Sequence, residues 1–136
     1  MWLGTTVENR KNGYPRIDAL RKVPSVVRFV SCEPLLENLP ELDLTGIHWA
    51  IVGGESGAQA RPFDIEWART IKRQCKRFST AYFFKQLGRR PQGNGLPYPV
   101  AHRTPSGSRD IHGVLMENFP RDLQVQRWPA HARPAR

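Results

Sequence analysis

The stretch WAIVGGESG, residues 49–57, runs from four apolar residues into a glycine pair, a glutamate, a serine and a third glycine. Three other greasy runs end in the same way. WLGTTVEN (2–9) closes on Glu8 and Asn9, VRFVSCEPLL (27–36) passes through Ser31 and Cys32 to Glu33, and TAYFFKQLG (80–88) reaches Lys85 and Gln86. In open and closed α/β sheets ligands bind beyond the carboxyl ends of the strands, so polar residues that end apolar runs stand where chemistry is expected. If the four runs are parallel strands, three carboxylates, a lysine and two amides share one rim. Glu33, Glu55 and Lys85 are then the candidates for catalysis, and Glu8, Asn9 and Gln86 for contacts to a substrate. Gly53 and Gly54, with Ser56, are candidates for holding a cofactor, because backbone without side chains lets a ligand approach free amides. Each residue taken alone also fits a chain emerging into water, and Lys85 beside Glu33 or Glu55 also fits a structural ion pair.

Several familiar sites are excluded. GGESG is neither a phosphate-cradling GxxxxGK[ST] loop nor a dinucleotide GxGxxG fingerprint. Cys32 and Cys75 are single cysteines within apolar patterns, and a zinc or iron–sulfur site needs about three or four clustered ligands. With no histidine placed as its partner, Cys32 reads as a small core residue rather than a nucleophile. His48, His102, His112 and His131 have no ligand spacing. No metal site is therefore assigned.

These residues must be positioned by their elements. The four runs are rich in β-branched and aromatic residues without strict alternation, which predicts strands buried on both faces, as in parallel sheets. Between them lie a helix over 14–23, ended by Pro24, and a stronger one over 64–78, with Asp64 as N-cap and Trp67, Ala68, Ile71, Cys75 and Phe78 on one face. The segment 37–48 shows no helix but has about the dozen residues that a parallel crossover requires. The order predicts an α/β fold, either a parallel sheet or part of a (β/α) barrel. Residues 1–90 form this unit, 91–126 an irregular extension with a short hairpin or cap around IHGVLMENFP, and 127–136 a disordered tail.

The 21 Lys and Arg against 12 Asp and Glu give a net charge of +9, which favours acidic partners. Arg69, Lys72, Arg73, Lys76 and Arg77 share the outer face of the helix 64–78, a surface fit for nonspecific contact with nucleic-acid phosphates. No apolar stretch approaches the 18 or so residues of a membrane span, and MWLGTTVEN lacks the basic-then-apolar order of a secretory signal. A cytoplasmic protein without a membrane partner is expected.

WLGTTVEN, RFVSCEPLL, IHWAIVGGESG with the following ARPFD, and FFKQLG resemble, in order and spacing, the phage protein family named after gene products 37 and 68. A weaker echo lies in RDIHGVLMENFP, with Met116 where an aromatic is expected. That family resembles radical S-adenosylmethionine barrels, so the resemblance implies a partial (β/α) barrel and, for a full-length member, S-adenosylmethionine with a 4Fe–4S cluster. The CxxxCxxC-like cluster of such proteins is missing here, and the chain resembles their C-terminal half. The resemblance thus implies strand-end residues that contribute to a substrate or cofactor pocket, no cofactor and no activity in this chain alone, and a partner that is the missing half or a second copy. The alternative is a basic nucleic-acid-binding module.

Overall fold

The computed structural model describes residues 1–99 and 118–130. Four strands, β1 (Trp2–Thr6), β2 (Val27–Cys32), β3 (Trp49–Gly53) and β5 (Ala81–Gln86), make one sheet in the order β1-β2-β3-β5. Every neighbouring pair is parallel, with Trp2 opposite Val27, Phe29 opposite Trp49, and Trp49 opposite Ala81. The strands stop earlier than the apolar runs that contain them, because the residues that follow turn out of the ladder to form the rim. The sheet is open among the described residues.

Helix α1 (Arg10–Arg21) begins ahead of the expected start at 14. Asn9 is the cause: its side chain accepts from the Asn12 amide at 2.9 Å, satisfying one of the free donors of the first turn. Pro15 is carried inside the helix, and Lys22 caps its end ahead of Pro24. Helix α2 (Ile65–Arg77) starts where the sequence predicts it, with the Asp64 carboxylate accepting from Glu66 N at 2.8 Å. The crossover from β2 to β3 has no helix, yet it packs Leu35, Leu39, Leu42, Leu44 and Ile47 into the same core as Ile17 and Leu20 of α1 and Ala68 and Ile71 of α2.

That shared core sits on one face of the sheet, built by Val30, Cys32, Ala50, Val52, Tyr82 and Phe84. Alternation along the strands sends Phe29, Ile51, Phe83 and Lys85 to the other face, where each is only half-buried. The expectation of strands buried on both faces is met in part: Val27 and Trp49 on this second face are buried, Trp49 beneath the Trp128 ring, while β1 has no fully buried residue.

A second, smaller sheet joins β4 (Phe63–Asp64), β6 (Pro91–Gly93) and β7 (Leu96–Pro97). The β6–β7 hairpin turns at Asn94 and Gly95, both with positive φ, the conformation that Asn-Gly adopts in a two-residue turn. This ordered hairpin lies in the stretch read as irregular, whereas of the expected one around IHGVLMENFP (111–120) and the RDIHGVLMENFP echo (109–120), residues 109–117 lie outside the described residues. The outer edge of β5 is covered by a C-terminal strap: Phe84 N donates to Val125 O at 2.8 Å and Arg127 N to Tyr82 O at 2.9 Å. Arg127 and Trp128, read as the start of a disordered tail, are thus docked, with the Trp128 ring stacked 4.7 Å from that of Trp49. Residues 131–136 lie outside the described residues. The outer edge of β1 carries no strand among them.

Candidate active site at the strand ends

The rim is organised by an irregularity in pairing. Val52 faces Phe84, but Gly53 faces Gln86, so Lys85 is an extra residue in β5. Consecutive strand residues ordinarily point to opposite faces, and a bulge re-aims one of them. Here both side chains reach one carboxylate oxygen: Lys85 Nζ is 3.0 Å and Gln86 Nε2 3.3 Å from Glu33 Oε1. Gln86 also donates to Gly54 O at 2.8 Å, tying the group to the end of β3. Glu33 is placed by the turn after β2, where Leu35 N donates to Gly53 O and Leu36 N to Glu8 O, each at 3.0 Å. That turn bridges the ends of β1 and β3.

Gln86 is only 1% exposed, yet among the described residues its Oε1 has no hydrogen-bond partner, and neither has the buried Glu33 Oε2. Unpaired buried acceptors are costly and rare. Lys85, with 38% of its side chain exposed, is the member of the group that solvent reaches.

Gly53 and Gly54 have a different role from the one expected. A Cβ on Gly53 would lie 2.9 Å from Gln86 Cγ and 3.1 Å from Glu33 Oε2, and one on Gly54 would lie 2.4 Å from Leu87 O. The Gly54 amide, expected to be free for an anion, donates to Gln86 O at 3.2 Å. The glycines therefore let β5 and Glu33 close in on β3. They do not leave an open cradle.

The remaining rim candidates are held separately. Glu55 accepts from Arg61 three times, from N at 2.8 Å, Nε at 2.9 Å and Nη2 at 2.8 Å, and these bonds hold its carboxyl down to about 2. Glu8 pairs with Arg16 at 3.0 Å, and Arg16 also donates to Thr6 Oγ1 at 3.0 Å. Asn9 caps α1 and Ser56 is exposed. The structure thus unites Glu33, Lys85, Gln86 and Gly54, keeps Gly53 in contact with them, and holds Glu8 and Glu55 apart on their own arginines. Arg16 and Arg61 are the residues that sequence reasoning missed. Arg61 follows Glu55 by a loop that returns at Gly57, with φ +97°, a fold-back that residue types alone do not announce.

A family model matches residues 1–124, which span every strand and both α-helices of the described residues. The chain belongs to the family described as a protein of unknown function (DUF5131). No curated protein and no solved structure matches it. The DUF5131 description carries neither the gene-product naming nor radical S-adenosylmethionine chemistry, so both rest on the resemblance of the motifs alone. Within this DUF5131 chain no group of three or more His, Cys, Asp or Glu among the described residues could hold a metal ion. Burial pushes the Cys75 thiol up to about 12 and the Cys32 thiol up as well, so neither offers a thiolate near neutral pH. The residues described therefore do not fit an iron–sulfur cluster. No helix among them is long and apolar enough to cross a membrane.

Proposed function

We propose that the strand-end group Glu33–Lys85–Gln86 is the floor of a ligand pocket for S-adenosylmethionine or the substrate that reacts with it, and that the sheet is part of a (β/α) barrel. The observation that carries this reading is the bulge that turns both Lys85 and Gln86 onto Glu33 Oε1 while two buried acceptors find no donor among the described residues. Bulges are over-represented beside active sites, where they re-aim side chains. The barrel reading is supported by strands adjacent in chain order with all connections on one face, which leaves Phe29, Ile51, Phe83 and Lys85 to line an interior.

Lys85 would meet a ligand carboxylate, and Glu33 Oε2 and Gln86 Oε1 would accept from ligand N–H or O–H groups. When bound, S-adenosylmethionine supplies an electrophilic sulfonium centre. Glu33 and Lys85, 3.0 Å apart, are close enough to pass a proton between them or to a ligand. Glu55 has a narrower role: held near pKa 2 by Arg61, it stays a carboxylate at neutral pH and acts as a fixed negative charge rather than an acid. The described residues hold no ligand set for an iron–sulfur cluster, so their part in this reading is to bind and orient the ligand.

Isothermal titration of the chain with S-adenosylmethionine tests this. Saturable binding that weakens about tenfold or more in Lys85→Ala, with the fold retained, is expected. Equal affinity in the two proteins would reject the rim as the binding site.

A further inference from the structure

At the end of the sheet opposite the rim, a cleft of about 580 Å³ opens between the last turns of α2, the start of β5 and the C-terminal strap. The volume lies within the ordinary range for small-molecule sites. Its floor is apolar. Cys75, Ala81, Tyr82 and Val125 form it, and Tyr82 presents its ring, because its hydroxyl is committed to Ala68 O at 3.1 Å. The Cys75 thiol, pushed up to about 12 by burial, stays neutral.

The walls are cationic. Lys72, Lys76 and Arg127 stand around this floor, and no acidic side chain lines it among the described residues. Arg16, Arg21, Arg61 and Arg69 each pair with a carboxylate elsewhere in the molecule. By contrast, the side chains of Lys76 and Arg127 make no hydrogen bond or ion pair among the described residues, although Arg127 is anchored through its backbone N to Tyr82 O at 2.9 Å. Lys72 Nζ donates to the backbone oxygen of Asp122, whose carboxylate is taken by Arg69 through Nε at 2.8 Å and Nη2 at 3.1 Å. The partial negative charge at the C-terminal end of α2 is offset by Lys76 and Arg77 in its last turn, and Gln74 O and Cys75 O accept from Phe78 N and Thr80 N. Ser79 then follows the helix with φ +55°, a left-handed position where glycine is usual, and brings a hydroxyl to the cleft wall.

We infer that this cleft binds a small phosphate monoester, its phosphate held by Lys76, Arg127 and the Ser79 hydroxyl and its organic body laid on the apolar floor. A phosphate monoester carries about two negative charges near neutral pH, which the two uncommitted cations match, and the arginine fork can take two of its oxygens at once. The site is separate from the rim and does not depend on the function proposed for it. The basic helix then acts through Lys72 and Lys76 rather than through its whole outer face, since Arg69 is committed to Glu66 and Asp122, and Arg73 to Thr70.

Calorimetric titrations of the full chain with phenyl phosphate, inorganic phosphate and benzoate provide the test. Phenyl phosphate carries both the double charge and an apolar body, inorganic phosphate the charge alone, and benzoate the body with a single charge. The proposal expects saturable binding of phenyl phosphate, tighter than that of either other probe and weaker by about tenfold or more in Lys76→Ala and in Arg127→Ala. Both side chains are exposed, so these variants should keep the fold. The exposed Arg89→Ala, which removes the same charge elsewhere, should leave the binding unchanged. In NMR spectra the amides of Ser79 and Ala81 should shift as phenyl phosphate binds. No saturable binding, an equal loss in Arg89→Ala, inorganic phosphate or benzoate binding as tightly as phenyl phosphate, or shifts centred away from Ser79 and Ala81 would overturn the proposal.

Discussion

The most constrained residue of the rim is Gly54. A Cβ there would sit 2.4 Å from the backbone oxygen of Leu87, an atom that no rotamer change can move aside. Gly54→Ala is expected to cost about 1–3 kcal/mol or more in urea unfolding, as overpacking does, and a loss under about 0.5 kcal/mol would show that β5 can withdraw. The neighbouring Glu55 gives a pH signature. Its carboxyl ordinarily titrates at 4.5 and is held at about 2 in the folded protein by Arg61. The contribution of that pairing is therefore complete above about pH 4.5 and is lost as the pH falls through about 2. In Arg61→Ala the Glu55 carboxyl should titrate back toward 4.5 when followed by carbon NMR; a midpoint still near 2 would mean that another group holds it. The polar ends of the apolar runs were legible from residue type, and so Glu33, Glu55, Lys85 and Gln86 were named. Which carboxylate meets the lysine was not, because that depends on a one-residue slip in pairing and on a loop that delivers Arg61 to Glu55.

At the scale of elements, the bulge in β5 makes a site of two adjacent residues. Removing Lys85 leaves Glu33, whose Oε2 already lacks a donor among the described residues, with only the longer bond to Gln86 among them. Because the pair is partly exposed, Lys85→Ala is expected to cost about 1–2 kcal/mol by chemical denaturation, above the roughly 0.5 kcal/mol of an ordinary surface change. A smaller loss would mark the pair as a solvated contact. The four strands and both helices could be read from apolar runs and helical spacing, and Asp64 from its capping chemistry. Asn94-Gly95 is a strong hairpin turn that the sequence does signal, whereas Val125, Gln126, Arg127 and Trp128 show no strand-like alternation to announce the strap that covers β5. The start of α1 differs from the apolar spacing of 14–23 because its first turn, Arg10–Gly13, carries no large apolar residue and is set by the Asn9 cap.

At the scale of the whole molecule, the two edges of the sheet differ. The strap closes the edge at β5, while among the described residues β1 ends the sheet at the other side with Trp2 42% exposed. An unpaired strand edge is a template for another chain. Sedimentation velocity should therefore show association that grows with concentration and is reduced in Trp2→Lys; a monomer at every concentration would remove self-pairing from the account. The parallel α/β arrangement is legible in the sequence, but the thinner cover of the second face, where Phe29, Ile51 and Phe83 are only half-buried, is not, since the mixed apolar runs read as buried on both sides. The rim remains the centre of the account, and it is tested most directly by an amide NMR titration of the chain with S-adenosylmethionine. The account predicts saturable shifts centred on the amides of Gly53, Gly54 and Gln86 and lost in Lys85→Ala. Shifts confined to the opposite end around Ser79 and Ala81, or none at saturating ligand, would contradict it.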